Sequence, residues 1–204
     1  MILDLSQLKP AQVYFHMIQT LVPRPIAWVL SEIEQGKYNL APFSYFNAVC
    51  SDPPLIMLSV GKKPDDSYKD TRVNIEQRRD FVVHIAHRDM LQDLNQSSAT
   101  LDADISELDQ LGIETANFEG SRLPRIKACK VAYACECYEI HELGSTPQSI
   151  IYGKVNHIYI DDDITSASEK GRLKVHADKL EPISRLGANE YMSFGEIISL
   201  ARPK

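Results

Sequence analysis

Between Pro23 and Asn47 two extended apolar runs flank a turn at Gly36, and this constrains the fold more than any other part of the chain. Ile26 to Leu30 reads as one strand and Tyr38 to Val49 as a second, bent at Pro42. The second run carries amides, hydroxyls and aromatic rings rather than core aliphatics alone. Alternation puts Asn39, Ala41, Phe43, Tyr45 and Asn47 on one face and Leu40, Pro42, Ser44 and Phe46 on the other, until Pro42 disturbs the ladder. Such a strand either packs a barrel with one face and holds a flat ligand with the other, or it is an edge whose polar residues face water.

Further along, Ala11 to Thr20 is a helical candidate ended by the prolines at 23 and 25. Leu55 to Val60 is apolar on both faces, as a buried strand is. Gly61 to Ser67 reads as a polar loop and Tyr68 to Arg79 as a helix. Phe81 to Ala86 alternates with Phe81, Val83 and Ile85 inward, and a helical patch lies at Asp89 to Ser97. Ile126 to His141 and Ile150 to Ile160 are the longest strand candidates, joined as a hairpin through Glu142 to Gln148. The helices fall among strands without regular βαβ spacing. The pattern therefore predicts a mainly β barrel with peripheral helices. Residues 1–204 read as one domain with a short N-terminal helix and an extended C-terminal tail.

With 44% hydrophobic and 25% charged residues, the 204-residue chain has the makings of a globular core. Its net charge of −6 gives no general reason to bind nucleic acid or an anionic membrane. No apolar run is long enough to span a bilayer, and the N-terminus lacks a basic segment followed by an apolar one, so cytoplasm is expected. The four cysteines read as core-filling thiols. Cys135 and Cys137 are about 6.5–7 Å apart on one strand face, at the far limit for a disulfide. Cys129 shares that face but lies too far along the strand to join a metal site.

The nine glycines form neither GxGxxG nor GxxxxGK, and GxSxG and HExxH are absent. The start of the 68–79 helix is more informative. With Asp70 or Thr71 as N-cap, free amides would point outward beside Lys69 and Arg72, a seat for a phosphate; an ordinary capped surface helix is the competing reading. Of His84 and His87, one is expected packed and one exposed, and no metal site is expected. Asp161 to Asp163 reads as a solvated turn, and Trp28 as core or interface.

The order of these segments carries a resemblance. PRPIAWV (23–29), NLAPFSYFNAV (39–49), SDPPLIMLSVG (51–61), KDTRVNI (69–75) and DFVVHI (80–85) are similar in order and spacing to the flavin-reductase-like family. LNQSSA (94–99) and PISRLGANEY (182–191) resemble its later elements. That resemblance implies an FMN-binding split β-barrel working as a homodimer, with flavin near the interface. It places Asn39, Ala41 and Ser44 against the ring and ribityl chain. Ser59, Lys69, Thr71 and Asn74 fall at the phosphate, with Arg24 near it or at the interface, and Arg185 and Tyr191 closing the site. His84 stands where the family commonly has asparagine. The implied activity moves electrons from NAD(P)H through FMN to a flavin, a monooxygenase or another redox protein, and needs no catalytic side chain. The alternatives are a flavoredoxin-like carrier without nicotinamide turnover, or a barrel that binds another planar ligand. Dimerisation is also expected from the apolar area of Trp28, Phe43, Tyr45 and Phe46.

Overall fold

In the computed structural model, which describes residues 1–145, 147–168, 171–201 and 203, the principal sheet has seven strands. They are β1 (Ala27–Glu34), β2 (Lys37–Phe43), β3 (Phe46–Ser51), β4 (Pro54–Val60), β5 (Asp80–Ile85), β6 (Val131–Leu143) and β7 (Gln148–Ile160). All neighbours are antiparallel, in the order β2-β1-β5-β6-β7-β4-β3. β2 and β3 stand at opposite ends of that order, yet only Ser44 and Tyr45 separate them in the chain. A residue reaches at most about 3.6 Å, so the sheet has to curl until its two edges meet. At the crossing the Ser59 N–H donates to the Tyr45 carbonyl at 2.8 Å, extending the β3–β4 ladder by one pair. The result is a split β-barrel.

The run expected as one strand from Tyr38 to Val49 is thus two strands. The break falls at Ser44-Tyr45, not at Pro42, because the chain must cross from one sheet edge to the other there. Pro42 keeps its place opposite Trp28 in the ladder, as an edge strand allows for a residue without an N–H.

Alternation along β1 and β5 feeds two cores. Ala27, Val29, Phe81 and Val83 join Phe43, Leu58, Cys135 and Ile151 inside the barrel, where Ile75 of helix α2 (Asp70–Arg78) closes one end. Trp28, Leu30 and Val82 face outward. They pack under Leu94 of α3 (Leu91–Gln96), Leu108 of α4 (Glu107–Leu111) and Ile126. This second layer explains several departures from the periodicity. Phe81 through His84 are all buried, whereas Ile85 is only partly so. His87 is buried as well as His84, correcting the expectation that one is exposed. Conversely β4 is not buried on both faces: Ile56, Leu58 and Val60 are inward, and Leu55, Met57 and Ser59 are partly exposed. Cys129 precedes β6 and lies in the outer core, apart from Cys135 and Cys137, and Cys50 is exposed rather than core-filling. All four thiols are free.

Gly153 on β7 shows how tightly the interior is filled, since a methyl group there would run into the Phe81 ring, with Ile56 close behind. Gly153→Ala is expected to destabilise the fold by about 1–3 kcal/mol. Urea titration should show a lower midpoint at unchanged slope.

Among the described residues no helix is long and apolar enough to cross a membrane. Helix α1 (Pro10–Thr20) has no buried residue, and eleven residues are too few to hold a helix by propensity alone. Arg24 anchors it instead. Its guanidinium donates to the Ile18 carbonyl at 2.6 Å and the Leu21 carbonyl at 2.8 Å, and to the Leu186 carbonyl at 2.7 Å.

Candidate functional site

Where β2 runs past the start of α2, two clefts open side by side and share Pro42, Lys62 and Lys69. The narrower, about 390 Å³, lies among Asn39, Ala41, Lys63, Asp70, Thr71 and the 97–101 loop. The wider, about 720 Å³, lies between α1 and the Phe43–Tyr45 crossing, with Ser59, Gly61 and Gln148 along its far side.

The helix start is built from backbone rather than from a side-chain cap. Lys69 is the N-cap, extended and without a capping side-chain bond, so the expected cap at Asp70 or Thr71 is one or two residues late. The Lys69 carbonyl takes the N–H groups of Arg72 and Val73, at 2.9 and 3.1 Å. The N–H groups of Asp70 and Thr71 are left among the unsatisfied donors that every helix start presents. Beside them the Asn39 amide donates to the Thr71 hydroxyl at 2.9 Å, with both residues buried. That bond fixes the hydroxyl at the cleft wall.

Charge around this corner is arranged unevenly. Lys63 pairs with Asp70 at 2.8 Å, which neutralises the carboxylate that would oppose an anion. Lys69 has no ion-pair partner among the described residues. Much of its side chain faces solvent, but crowding around its ammonium group, with the Lys63 charge added, brings its pKa below the ordinary lysine value. The ammonium lies 5.7 Å from the Phe43 ring centre. Arg72, expected beside Lys69, turns away: it is buried over Tyr68 and tied to Glu76, Glu142 and Ser149.

Other elements hold the walls in place. Trp28, fully buried, donates its indole N–H to Ser97 at 2.8 Å, which fastens the 97–101 loop to the barrel. On the edge of β2, Glu107 accepts the Leu40 N–H at 2.9 Å, and the Ser106 hydroxyl donates to the Tyr38 carbonyl at 2.6 Å. Burial raises the Glu107 pKa, so its charge is the costly form there.

Of the residues singled out from the sequence, Asn39, Ala41, Lys69 and Thr71 border the narrow cleft, and Ser44, Ser59 and Lys69 border the wide one. The two groups were expected to divide as ring and phosphate. Instead Ser59 lies with Ser44, while Asn39 and Ala41 lie with Thr71. Arg24 and Asn74 border neither cleft. Arg24 is spent on the carbonyls that anchor α1, reaching toward Ser44 only at 3.5 Å, and Asn74 donates to the Ser31 hydroxyl at 3.2 Å. Arg185 and Tyr191 also lie outside: the guanidinium stacks 4.4 Å over the Tyr191 ring, whose hydroxyl donates to Asn95. Lys62, Lys63, Glu107, Tyr14, Met17 and Gln148 line the clefts without having been singled out. The Lys62-Lys63 pair after Gly61 was a visible signal, hidden in a stretch that reads as plain loop.

The donor set suits FMN. A dianion fits the free amides of Asp70 and Thr71 with Lys69 beside them, a polyol fits the hydroxyls, and a planar head fits the Pro42–Tyr45 wall. The split barrel has counterparts among known proteins. Residues 19–179 match the flavin reductase like domain, and the chain belongs to that family. It is 34% identical to protein YwrF of Bacillus subtilis (strain 168), over 99% of this chain and 98% of that one. The structure of nitrilotriacetate monooxygenase component B from Bacillus cereus superposes with a TM-score of 0.88 at 30% identity, covering 98% of each chain. The 2-nitrobenzoate 2-nitroreductase NbaA of Pseudomonas fluorescens gives 0.87 at 28% identity, covering 100% of this chain and 96% of that one.

Proposed function

We propose that this chain is an FMN-binding oxidoreductase that takes electrons from NAD(P)H and passes them to a flavin or a protein acceptor. The carrying observation is the juxtaposition of the uncapped α2 start, with Lys69 and Thr71, and the apolar groove running off beside Pro42 and Phe43. Lys69, Thr71 and the Asp70 and Thr71 amides would hold the phosphate, Ser44 and Ser59 the polar edge, and Phe43 and Tyr45 the ring. When bound, FMN supplies the redox chemistry at its N5; the protein binds, orients and limits solvent. The likeness to a monooxygenase component supports a separate oxygenase as the acceptor. The free thiols fit a reducing, cytoplasmic setting.

Purified protein is expected to be yellow, with flavin absorption bands and stoichiometric release of FMN on denaturation. Colourless protein that takes up no added FMN overturns the proposal. Anaerobic mixing with NADH or NADPH should bleach the bands promptly. Loaded protein that neither cofactor bleaches is a carrier rather than a reductase.

The reading includes a homodimer; of the four aromatic residues first expected there, Tyr45 and Phe46 are partly exposed. Trp28 and Phe43 are buried within the chain, so they offer no interface. Exposed apolar area lies on α1 and its exit, at Phe15, Leu21 and Val22, and on edge strand β3, at Val49. Light scattering should give twice the 23.0 kDa chain mass, and Phe15→Glu with Leu21→Glu should shift it toward the monomer. A monomer that keeps FMN at micromolar concentration contradicts the dimer.

A further inference from the structure

The wide cleft holds more than the flavin reading uses. Its α1 side is apolar: Tyr14 and Met17 face the Phe43–Tyr45 crossing, and the Tyr14 and Tyr45 ring centres are 6.3 Å apart, tilted by 49°. At that separation the rings touch one another and form one continuous aromatic wall. Lys62 and Gln148 line the same cleft next to Gly61, where the Gln148 side-chain amide passes 3.3 Å from the position a Cβ would take. Among the described residues the Lys62 ammonium lies 5.0 Å from the Tyr68 ring centre, and neither it nor the Gln148 amide has an ion-pair or hydrogen-bond partner. The cleft is bordered by two lysines and no carboxylate, in a chain of net charge −6.

We propose that this cleft holds a second ligand site, adjoining the flavin position, for a small aromatic carboxylate. Its ring would lie against Tyr14 and Met17, and its carboxylate would be held by Lys62 and Gln148. An ammonium and an amide in one cleft supply charge and a directional donor, which is what a single carboxylate needs. The cation count favours this ligand over a dinucleotide. With Lys69 assigned to the FMN phosphate, Lys62 alone remains, too little for a pyrophosphate. The wall itself is held by Arg24, whose carbonyl bonds fix the C-terminal turn of α1. The inference rests on the flavin reading, because the ligand would share the cleft with the flavin ring.

The test is calorimetric titration of FMN-loaded protein with benzoate, its neutral analogue benzamide, and oxidised NAD, which cannot reduce the flavin, after FMN content has been measured in each variant. Wild type is expected to bind benzoate at least about tenfold more tightly than benzamide, the difference a charge-assisted hydrogen bond makes. Lys62→Met should remove that preference and leave benzamide unchanged, while Tyr14→Ala should weaken both. Benzoate and benzamide binding alike, or a benzoate affinity that Lys62→Met does not alter, overturns the inference. Binding of oxidised NAD that depends on Lys62 and Tyr14, with no benzoate binding, also overturns it and makes this the donor's slot. Protein that takes up no FMN overturns the functional reading and this inference together; protein that takes up FMN but no benzoate overturns this inference alone.

Discussion

Replacing both Lys69 and Thr71 with alanine is expected to weaken FMN binding by at least about a hundredfold and riboflavin binding far less. Each contact to a phosphate is a charge-assisted hydrogen bond, worth about 1.5–3 kcal/mol, and tenfold in affinity is about 1.4 kcal/mol. Riboflavin has the same ring and ribityl chain but no dianion, so the two ligands separate loss of the phosphate seat from general damage. Thr71→Ala also strips the buried Asn39 amide of its partner, which costs stability. Thr71→Ser keeps the hydroxyl and should bind FMN nearly as wild type does. A pH dependence follows from Lys69, whose pKa is lowered by crowding and by the Lys63 charge. The protonated form binds the dianion, so FMN affinity should fall as pH rises through that pKa, at lower pH than an ordinary lysine would give. The Lys69→Ala variant should lack that limb. Quenching of flavin fluorescence measures all of these constants. Equal losses for FMN and riboflavin place the phosphate elsewhere.

Acid is expected to destabilise the fold by about 3 kcal/mol through His84 alone. The ring is fully buried, accepts the Ile126 N–H on Nε2 at 2.9 Å and bonds the Trp28 carbonyl through Nδ1 at 3.1 Å. Accepting on Nε2 places the proton on Nδ1, so the neutral ring satisfies both neighbours. Burial lowers its pKa to about 4, with the Arg125 charge adding to that effect and the Trp28 bond opposing it. Below pH 6.5 the unfolded chain takes up a proton that the folded one refuses. Stability present above pH 6.5 is therefore lost as pH falls toward about 4, and a gap of about 2.5 pH units at about 1.4 kcal/mol each gives the figure. His84→Gln retains an acceptor for Ile126 and has nothing to titrate. Urea unfolding at a series of pH values should show the acid step shrinking in that variant. An undiminished step means that other groups carry it.

The sequence made the class of fold legible because the barrel's strands are separated by strong punctuation, and because the order of the motifs is specific. Helix α1 and the β7 strand fell close to their expected limits, whereas β6 starts at Val131 rather than Ile126. What alternation could not show was the closure between β2 and β3, since Tyr38 to Val49 reads equally well as one strand or as two. Periodicity also missed the second core layer: Trp28 and Val82 point away from the barrel, but helices and loops supplied by distant sequence cover them. The site was half legible. Asn39, Ala41, Lys69 and Thr71 do converge, since β2 and the start of α2 are neighbours in space. Arg24 was placed near the phosphate or at the interface by the resemblance alone, and its partners are main-chain carbonyls that carry no signature. The α1 wall and Gln148 had no local signal at all, for each is brought to the groove only by the curl of the sheet.

The central claim is that the start of α2 holds a phosphate while the flavin head lies along the Pro42–Tyr45 wall. A crystal structure of the protein grown with FMN tests it most directly. The expected density has the phosphate within hydrogen-bond distance of the Thr71 hydroxyl and the Lys69 ammonium, with the ring system beside Pro42 and Phe43. FMN bound at full occupancy with its phosphate away from residues 69–71 would contradict it.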